Sequence, residues 1–96
     1  YKKNFQDIEI AEIIGESKNS KSNYWLVTLR LKGNLDDNLK SNILQQAHDL
    51  KILLRPSWRL LSELPMYSNS PFGDLSESFN QSKRLINLPS SPKLIK

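Results

Sequence analysis

The feature that most limits the fold is an alternation of apolar and polar side chains over residues 24–31. With a period of two, one face of this segment is apolar throughout and the other is mostly polar. The apolar face consists of Trp25, Val27, Leu29 and Leu31, and the other face of Tyr24, Leu26, Thr28 and Arg30. This pattern predicts a β-strand buried on one side, so the chain must contain a sheet that other apolar segments cover on one face.

Two further segments are predicted to be strands of the same sheet. In residues 8–14, Ile8 and Ile10 alternate with Glu9. Residues 52–55 form a short apolar run that Pro56 stops, because proline cannot donate a ladder hydrogen bond. A polar loop over residues 15–23 separates the first of these strands from the alternating segment.

The first predicted helix begins at Asp36 or Asp37 and ends near Leu50. Either aspartate suits the start of a helix, where a carboxylate accepts hydrogen bonds from free backbone N–H groups. Apolar side chains recur at helical spacing on one side of this segment: Leu39, Ile43, Leu44 and Ala47.

A second helix is predicted from Asp74 to about Ile86, with Glu77 completing a capping box. One face of it carries Leu75, Phe79, Ser82 and Ile86. Residues 58–67, which are apolar and broken by proline, are predicted to form a short helix or turn, and residues 87–96 an extended tail. This order predicts an α+β domain, with a small antiparallel sheet and helices on one face.

Composition removes several classes of function. The chain has 96 residues, which allows one domain, with no cysteine and a single histidine, His48. Disulfides, thiolate metal sites and cysteine nucleophiles are excluded, and one histidine cannot make a histidine-rich metal cluster. The three glycines stand alone, so they form no phosphate-binding loop. The residues themselves therefore predict no catalytic, metal or cofactor-binding group.

The charge pattern argues against a nucleic-acid partner. The net charge of +4 comes from 14 basic and 10 acidic residues without a basic block. No run approaches the roughly 20 apolar residues of a membrane span, and no signal peptide opens the chain. A cytoplasmic protein without a membrane partner is therefore expected. Because the chain begins with Tyr1 rather than methionine, it is expected to be a piece of a longer protein.

Arg55 is the charged residue with the clearest functional interpretation. It ends an apolar run, is followed by Pro56 and lies near Trp58. A guanidinium group at a strand end binds phosphate or carboxylate in a bidentate manner. The alternative is an ordinary surface arginine stacked on Trp58.

Five short motifs occur in a fixed order along the chain. They are Ser22-Asn23-Tyr24-Trp25-Leu26, Arg55-Pro56-Ser57-Trp58, Leu64-Pro65-Met66-Tyr67, Asp74-Leu75-Ser76 and Arg84-Leu85-Ile86-Asn87-Leu88-Pro89-Ser90-Ser91. Their spacing resembles the C-terminal domain of the DegT/DnrJ/StrS group of pyridoxal-phosphate sugar aminotransferases. The most similar branch acts on UDP-linked 4-keto-6-deoxy amino sugars, on the path to legionaminic-acid or bacillosamine-type sugars. The resemblance covers almost the whole chain.

The resemblance implies that this chain is one part of a larger enzyme and indicates what the other part contains. The family's fold-type I homodimer has a large N-terminal domain that holds pyridoxal 5′-phosphate and its lysine, and neither motif occurs here. Glutamate would supply the amino group that is transferred to C4 of the keto sugar, for surface-polysaccharide biosynthesis. Residues 1–96 would then be the C-terminal small domain, without catalytic residues of its own and inactive alone.

The resemblance also implies which residues line the UDP-sugar pocket: Asn23, Tyr24, Trp25, Arg55 and Trp58. The diphosphate of such a substrate needs a fixed cation, which suits Arg55. A place in the strand core explains Trp25 equally well. Relatives often have a histidine where this chain has Ser62, so the identity of the sugar stays open.

A different class of function also agrees with these residues. A stand-alone basic module would bind an anionic partner through Arg55, Arg59, Trp25 and Trp58. It would bind polyanions with a strong salt dependence and would carry no cofactor.

Overall fold

Four short strands and three helices make up residues 1–91, the part of the chain that the computed structural model describes. In chain order they are α1 (Lys2–Phe5), β1 (Ala11–Ile13), β2 (Val27–Leu31), α2 (Leu39–Asp49), β3 (Arg55–Pro56), α3 (Ser76–Ser82) and β4 (Leu85–Leu88). Two 3₁₀ turns, Leu61–Glu63 and Pro65–Tyr67, lie between β3 and α3. The predicted α+β class is confirmed.

The sheet is antiparallel throughout, with strand order β1-β2-β4-β3. The last strand of the chain is therefore inserted between β2 and β3. Leu29 of β2 pairs with Ile86 of β4, and Pro56 of β3 pairs with the same residue from the other side. On β1, Ala11 pairs with Leu31.

The core lies on one face of this sheet. Its buried members are Ala11, Leu29, Leu31, Ile86 and Leu88, and partly buried side chains of α1 and α2 pack against them: Phe5, Leu39, Ile43 and Leu44. The predicted apolar face is confirmed for Val27, Leu29 and Leu31. It is wrong for Trp25, which precedes β2 and is 68% exposed.

The first predicted helix is confirmed with a later start. Asp36 lies in the turn before α2, where its Oδ1 accepts a hydrogen bond from the backbone N–H of Asn38 at 3.1 Å. The helix ends near Leu50 as predicted, because Lys51 adopts a left-handed conformation with φ of 62°. The N–H of Ile52 then bonds the carbonyl of Ala47 at 2.8 Å, as in a Schellman motif.

The second predicted helix is wrong in its last part. α3 ends at Ser82, and residues 85–88 form β4 instead of a helical end and a tail. Ile86 belongs to the sheet core and has no exposed surface. The capping box is also wrong, because Glu77 accepts a hydrogen bond from Gln81 at 2.7 Å. The predicted tail beyond residue 91 lies outside the described residues.

The strand predicted over residues 52–55 is displaced along the chain. Only Arg55 and Pro56 pair with β4, so β3 begins where the prediction ends. The short strand predicted over residues 8–14 is confirmed for Ala11–Ile13. The helical turn at α1 was not predicted, since its four residues show no apolar periodicity.

The other face of the sheet is polar, and one ion pair crosses it. Arg30 of β2 donates to Oε1 of its cross-strand neighbour Glu12 from Nη2 at 2.6 Å and from Nε at 2.8 Å. This hydrogen bond holds the pKa of the Glu12 carboxyl below its ordinary value. The pair therefore joins β1 to β2 on the side away from the core.

Truncating the centre of the sheet is expected to destabilise the chain strongly. Ile86→Ala should lower the free energy of unfolding by about 2–5 kcal/mol, because the cavity it leaves lies between three strands. Urea unfolding of the purified chain measures this. The matched control is Leu53→Ala, whose side chain is 72% exposed and should change little. Equal effects of both substitutions would show that Ile86 is not in the core.

The Glu12–Arg30 pair is expected to contribute stability only where Glu12 is ionised. Since its pKa is lowered in the folded chain, the contribution is full above the unfolded pKa and is lost as pH falls through the folded pKa. Glu12→Gln should therefore lower the unfolding midpoint at neutral pH and not at a pH well below the ordinary glutamate pKa. Glu9→Gln is the control, because Glu9 makes no ion pair or side-chain hydrogen bond within residues 1–91. An equal loss at both pH values would mean that packing, not pairing, causes it.

Candidate functional site

Arg55 stands on the polar face of the sheet with a free guanidinium group. It pairs with Asn87 of β4, so both side chains project from the same face. Its side chain is exposed and makes no hydrogen bond or ion pair with any of residues 1–91. Among the same residues the cation lying over an aromatic ring is Lys2, so Arg55 is not stacked on Trp58, although its exposure agrees with the alternative of an ordinary surface arginine.

Arg55 belongs to a row of three residues that crosses the sheet. Thr28 of β2 and Arg55 of β3 both pair with Asn87, which lies between them. The Thr28 hydroxyl donates to Oδ1 of Asn87 at 3.0 Å. This bond orients the Asn87 carboxamide and leaves its NH₂ group as a donor on the polar face. Neighbouring strands are about 4.8 Å apart, so these donors lie next to the Arg55 backbone.

The segment with Asn23, Tyr24 and Trp25 forms a tight turn just before β2. The N–H of Trp25 donates to Oδ1 of Asn23 and the N–H of Tyr24 to Oγ of Ser22, each at 3.0 Å. Tyr24 has a φ of 48°, in the left-handed region that costs a bulky residue about 1–3 kcal/mol. Local side-chain hydrogen bonds thus hold a strained backbone that projects Trp25 into solvent.

Contacts from both ends of the described chain hold this turn. Lys2 donates to the Tyr24 hydroxyl at 3.0 Å, and this hydrogen bond raises the pKa of the Lys2 ammonium above its ordinary value. The Ser90 hydroxyl donates to the Trp25 carbonyl at 2.9 Å. The Tyr24 hydroxyl and the side-chain oxygen Oδ1 of Asn23 therefore already accept hydrogen bonds within the protein, whereas the Trp25 ring is exposed.

The structure does not gather the five predicted residues into one cluster. The register of β2 on β4 puts Trp25 opposite Ser90, three residues beyond Asn87. β3 runs antiparallel to β4, so Trp58 follows it toward the opposite end of that strand. Trp58 is 78% exposed. Trp25 and Trp58 thus both lie outside the paired strands, three positions from the Arg55–Asn87 pair in opposite directions.

A mostly apolar cavity within residues 1–91 contains none of the five predicted residues. It has a volume of about 650 Å³ and lies between the 3₁₀ turns and α3. Its lining has no charged residue and is mostly apolar, for example Leu60, Tyr67, Phe72 and Phe79. Ser62 lines it with a buried hydroxyl that has no partner among the described residues. This cavity does not suit a charged group, so the polar face of the sheet is the better candidate for an anion.

Arg55 and Asn87 together can bind an anion through one cation and one neighbouring amide donor, which Thr28 orients. The sequence predicted Arg55 as a binding residue and did not single out Asn87 or Thr28, which the sheet register places beside it. The available signal was the alternation Ile86-Asn87-Leu88, which puts Asn87 opposite two core residues once residues 85–88 are a strand. No set of three His, Cys, Asp or Glu residues within residues 1–91 is grouped to hold a metal ion.

No helix in the described part of the chain has the length and apolar character that a membrane crossing requires. Comparison of the chain with curated proteins and with solved structures gives no match. Comparison with protein families gives a match of the DegT/DnrJ/EryC1/StrS aminotransferase model to residues 1–96. Since this match spans the whole chain, and the α+β fold agrees with it, the chain belongs to the DegT/DnrJ/EryC1/StrS aminotransferase family.

Proposed function

We propose that this chain is the C-terminal small domain of a pyridoxal-phosphate-dependent aminotransferase that acts on a nucleotide-linked sugar. The complete enzyme is a cytoplasmic homodimer that transfers an amino group from glutamate to C4 of a UDP-linked 4-keto-6-deoxy sugar, of the legionaminic-acid or bacillosamine type, for surface-polysaccharide biosynthesis. This domain supplies part of the wall of the substrate pocket. The observation that carries the proposal is the family match over residues 1–96, and the free Arg55 guanidinium on the polar face supports the assignment of the pocket wall.

The order of groups along the sheet supports a nucleotide sugar. Such a substrate has a base and a sugar at its two ends and a diphosphate between them. Trp25 and Trp58 are exposed and lie three register positions from the Arg55–Asn87 pair in opposite directions, so we assign them to the two ends of such a substrate, with its diphosphate at Arg55. Guanidinium binds phosphate oxygens in pairs, and tryptophan stacks on planar rings and on apolar sugar faces.

The described residues, 1–91, do not fit the cofactor itself. A pyridoxal phosphate site needs a lysine amine and an acidic or basic partner for the pyridine nitrogen. In residues 1–91 no lysine lines the large cavity, and the half-buried Lys40 has no carboxylate within ion-pair distance. We therefore place the cofactor in a separate large domain of the same polypeptide and assign no catalytic residue to this chain.

The competing hypothesis is a stand-alone module that binds an anionic partner. This hypothesis uses the same Arg55 and the same two tryptophans. It differs in that it requires no further domain and no cofactor. A module binds heparin with an affinity that falls steeply with salt, and no form of it absorbs visible light. The aminotransferase proposal requires a longer polypeptide with a lysine-bearing domain and a visible cofactor absorbance.

Removing the Arg55 guanidinium is expected to weaken substrate binding and to leave the cofactor in place. In the complete polypeptide, Arg55→Ala should raise the KM for the UDP-linked sugar roughly 10- to 100-fold, the loss expected for hydrogen bonds to a charged group. The visible absorbance of the cofactor should stay as in the unsubstituted enzyme. Steady-state kinetics and absorption spectra measure the two effects.

The control for this experiment is Arg59→Ala, which removes an exposed arginine four residues further along the chain. It should leave KM within about twofold, because Arg59 lies outside the paired strand β3 and is not among the residues assigned to the substrate wall. Arg55→Lys should restore only part of the binding, because an ammonium cannot bind two phosphate oxygens in a fixed plane. An unchanged KM in Arg55→Ala would overturn the assignment of Arg55 to the substrate wall.

A further inference from the structure

Lys40 joins three segments of the fold at one point. It lies in the first turn of α2, and its Nζ donates to the carbonyl oxygen of Ser82 at 2.6 Å and to the hydroxyl of Ser57 at 3.5 Å. The Ser57 hydroxyl is itself 3.5 Å from the same carbonyl oxygen. The ammonium thus connects α2 to the end of α3 and to the residue that follows β3.

The surroundings of this ammonium are unusual for a lysine. Its side chain is half-buried, and burial lowers its pKa below the ordinary value. No carboxylate of residues 1–91 lies within ion-pair distance of it. An apolar side chain of the same length would avoid the desolvation, so what the ammonium adds is directional hydrogen bonding between segments.

The segment that Ser57 belongs to has few other attachments. β3 is two residues long, and Pro56 has no N–H to donate to β4. Arg55 and Trp58 flank this proline and serine, and both side chains are exposed. Few contacts besides the short β3 pairing and the bonds at Lys40 therefore fix how this segment lies along the edge of the sheet.

We propose that Lys40 is a positioning residue: its ammonium group holds Ser57 against the end of α3 and thereby orients the segment with Arg55 and Trp58. The part of this inference that concerns substrate rests on the proposed function. The part that concerns the conformation of the segment does not. Lys40 itself touches neither substrate nor cofactor in this scheme and acts through Ser57.

The conformational part is tested with 5-fluorotryptophan in the complete polypeptide, where Trp25→Phe and Trp58→Phe variants assign the resonances of the two tryptophans of this domain. In ¹⁹F NMR spectra, Lys40→Met should shift and broaden the Trp58 resonance and leave that of Trp25 unchanged. Ser57→Ala should move the Trp58 resonance in the same direction, and Lys40→Arg, which keeps a donor, should restore most of its position. Lys83→Met is the matched control, because Lys83 is exposed and its amine is 3.9 Å from Asp37.

The functional part is tested in the complete polypeptide. Lys40→Met should raise the KM for the UDP-linked sugar about fivefold, the loss of roughly one net hydrogen bond in positioning, with kcat within about twofold. A fall in kcat with unchanged KM would contradict a role in orienting the substrate wall. If Arg55→Ala leaves KM unchanged, the assignment of Arg55 to the substrate wall fails, while the fluorine spectra still decide the role of Lys40.

Two results would overturn the proposal directly. The first is an unmoved Trp58 resonance in a folded Lys40→Met chain. The second is a disturbance of Trp25 and Trp58 to the same extent, which would mean a general loss of structure. If Lys40→Met does not fold, Ser57→Ala decides alone, since removing one hydroxyl leaves the core untouched.

Discussion

The pairing of β4 with both β2 and β3 is the interaction on which the rest of the structure depends. This strand has four residues, yet Ile86 within it contacts partners on both sides and is fully buried. Without β4, β3 would have no neighbour and β2 would be an edge. The same insertion produces the candidate site, because Asn87 can lie between Thr28 and Arg55 only when β4 is the inner strand.

Because the strands are short, side chains that bond to backbone carbonyls hold the ends of β4 in place. Before the strand, Arg84 donates to the carbonyls of Gly33 at 2.7 Å and Leu31 at 3.2 Å. After the strand, the Tyr1 hydroxyl donates to the carbonyl of Pro89 at 2.6 Å. Each such bond satisfies an acceptor that a longer sheet would pair with a backbone N–H. The fold thus uses polar contacts at both ends of a small apolar core.

The parts of the fold that were predictable are those with a strong local pattern. β2 alternates over five residues, and α2 repeats its apolar side chains over three turns, so both were predicted from nearby residues alone. β4 was not, because Leu75, Phe79, Ser82 and Ile86 also fit a helical face. Whether residues 85–88 extend or coil depends on pairing with β2, more than 50 residues away in the chain. Sequence periodicity contains no information about such a partner.

The same distinction applies to the candidate site. Arg55 was predictable, because a cation beside a proline at the end of an apolar run is visible in the sequence. The role of Asn87 was not, since it depends on which strands lie on either side of it.

The two arginines on the polar face differ in whether a carboxylate is paired with them. The paired residues of this face include two arginines, and Arg30 is already neutralised by Glu12 at 2.6 Å. Arg55 has no acidic partner within residues 1–91, and its nearest paired neighbour is an amide that supplies further donors. An anion that approached Arg30 would have to displace a carboxylate, whereas one that approaches Arg55 displaces only water. On this face we therefore propose that an anion binds at Arg55, whose guanidinium is unpaired within residues 1–91, rather than at Arg30.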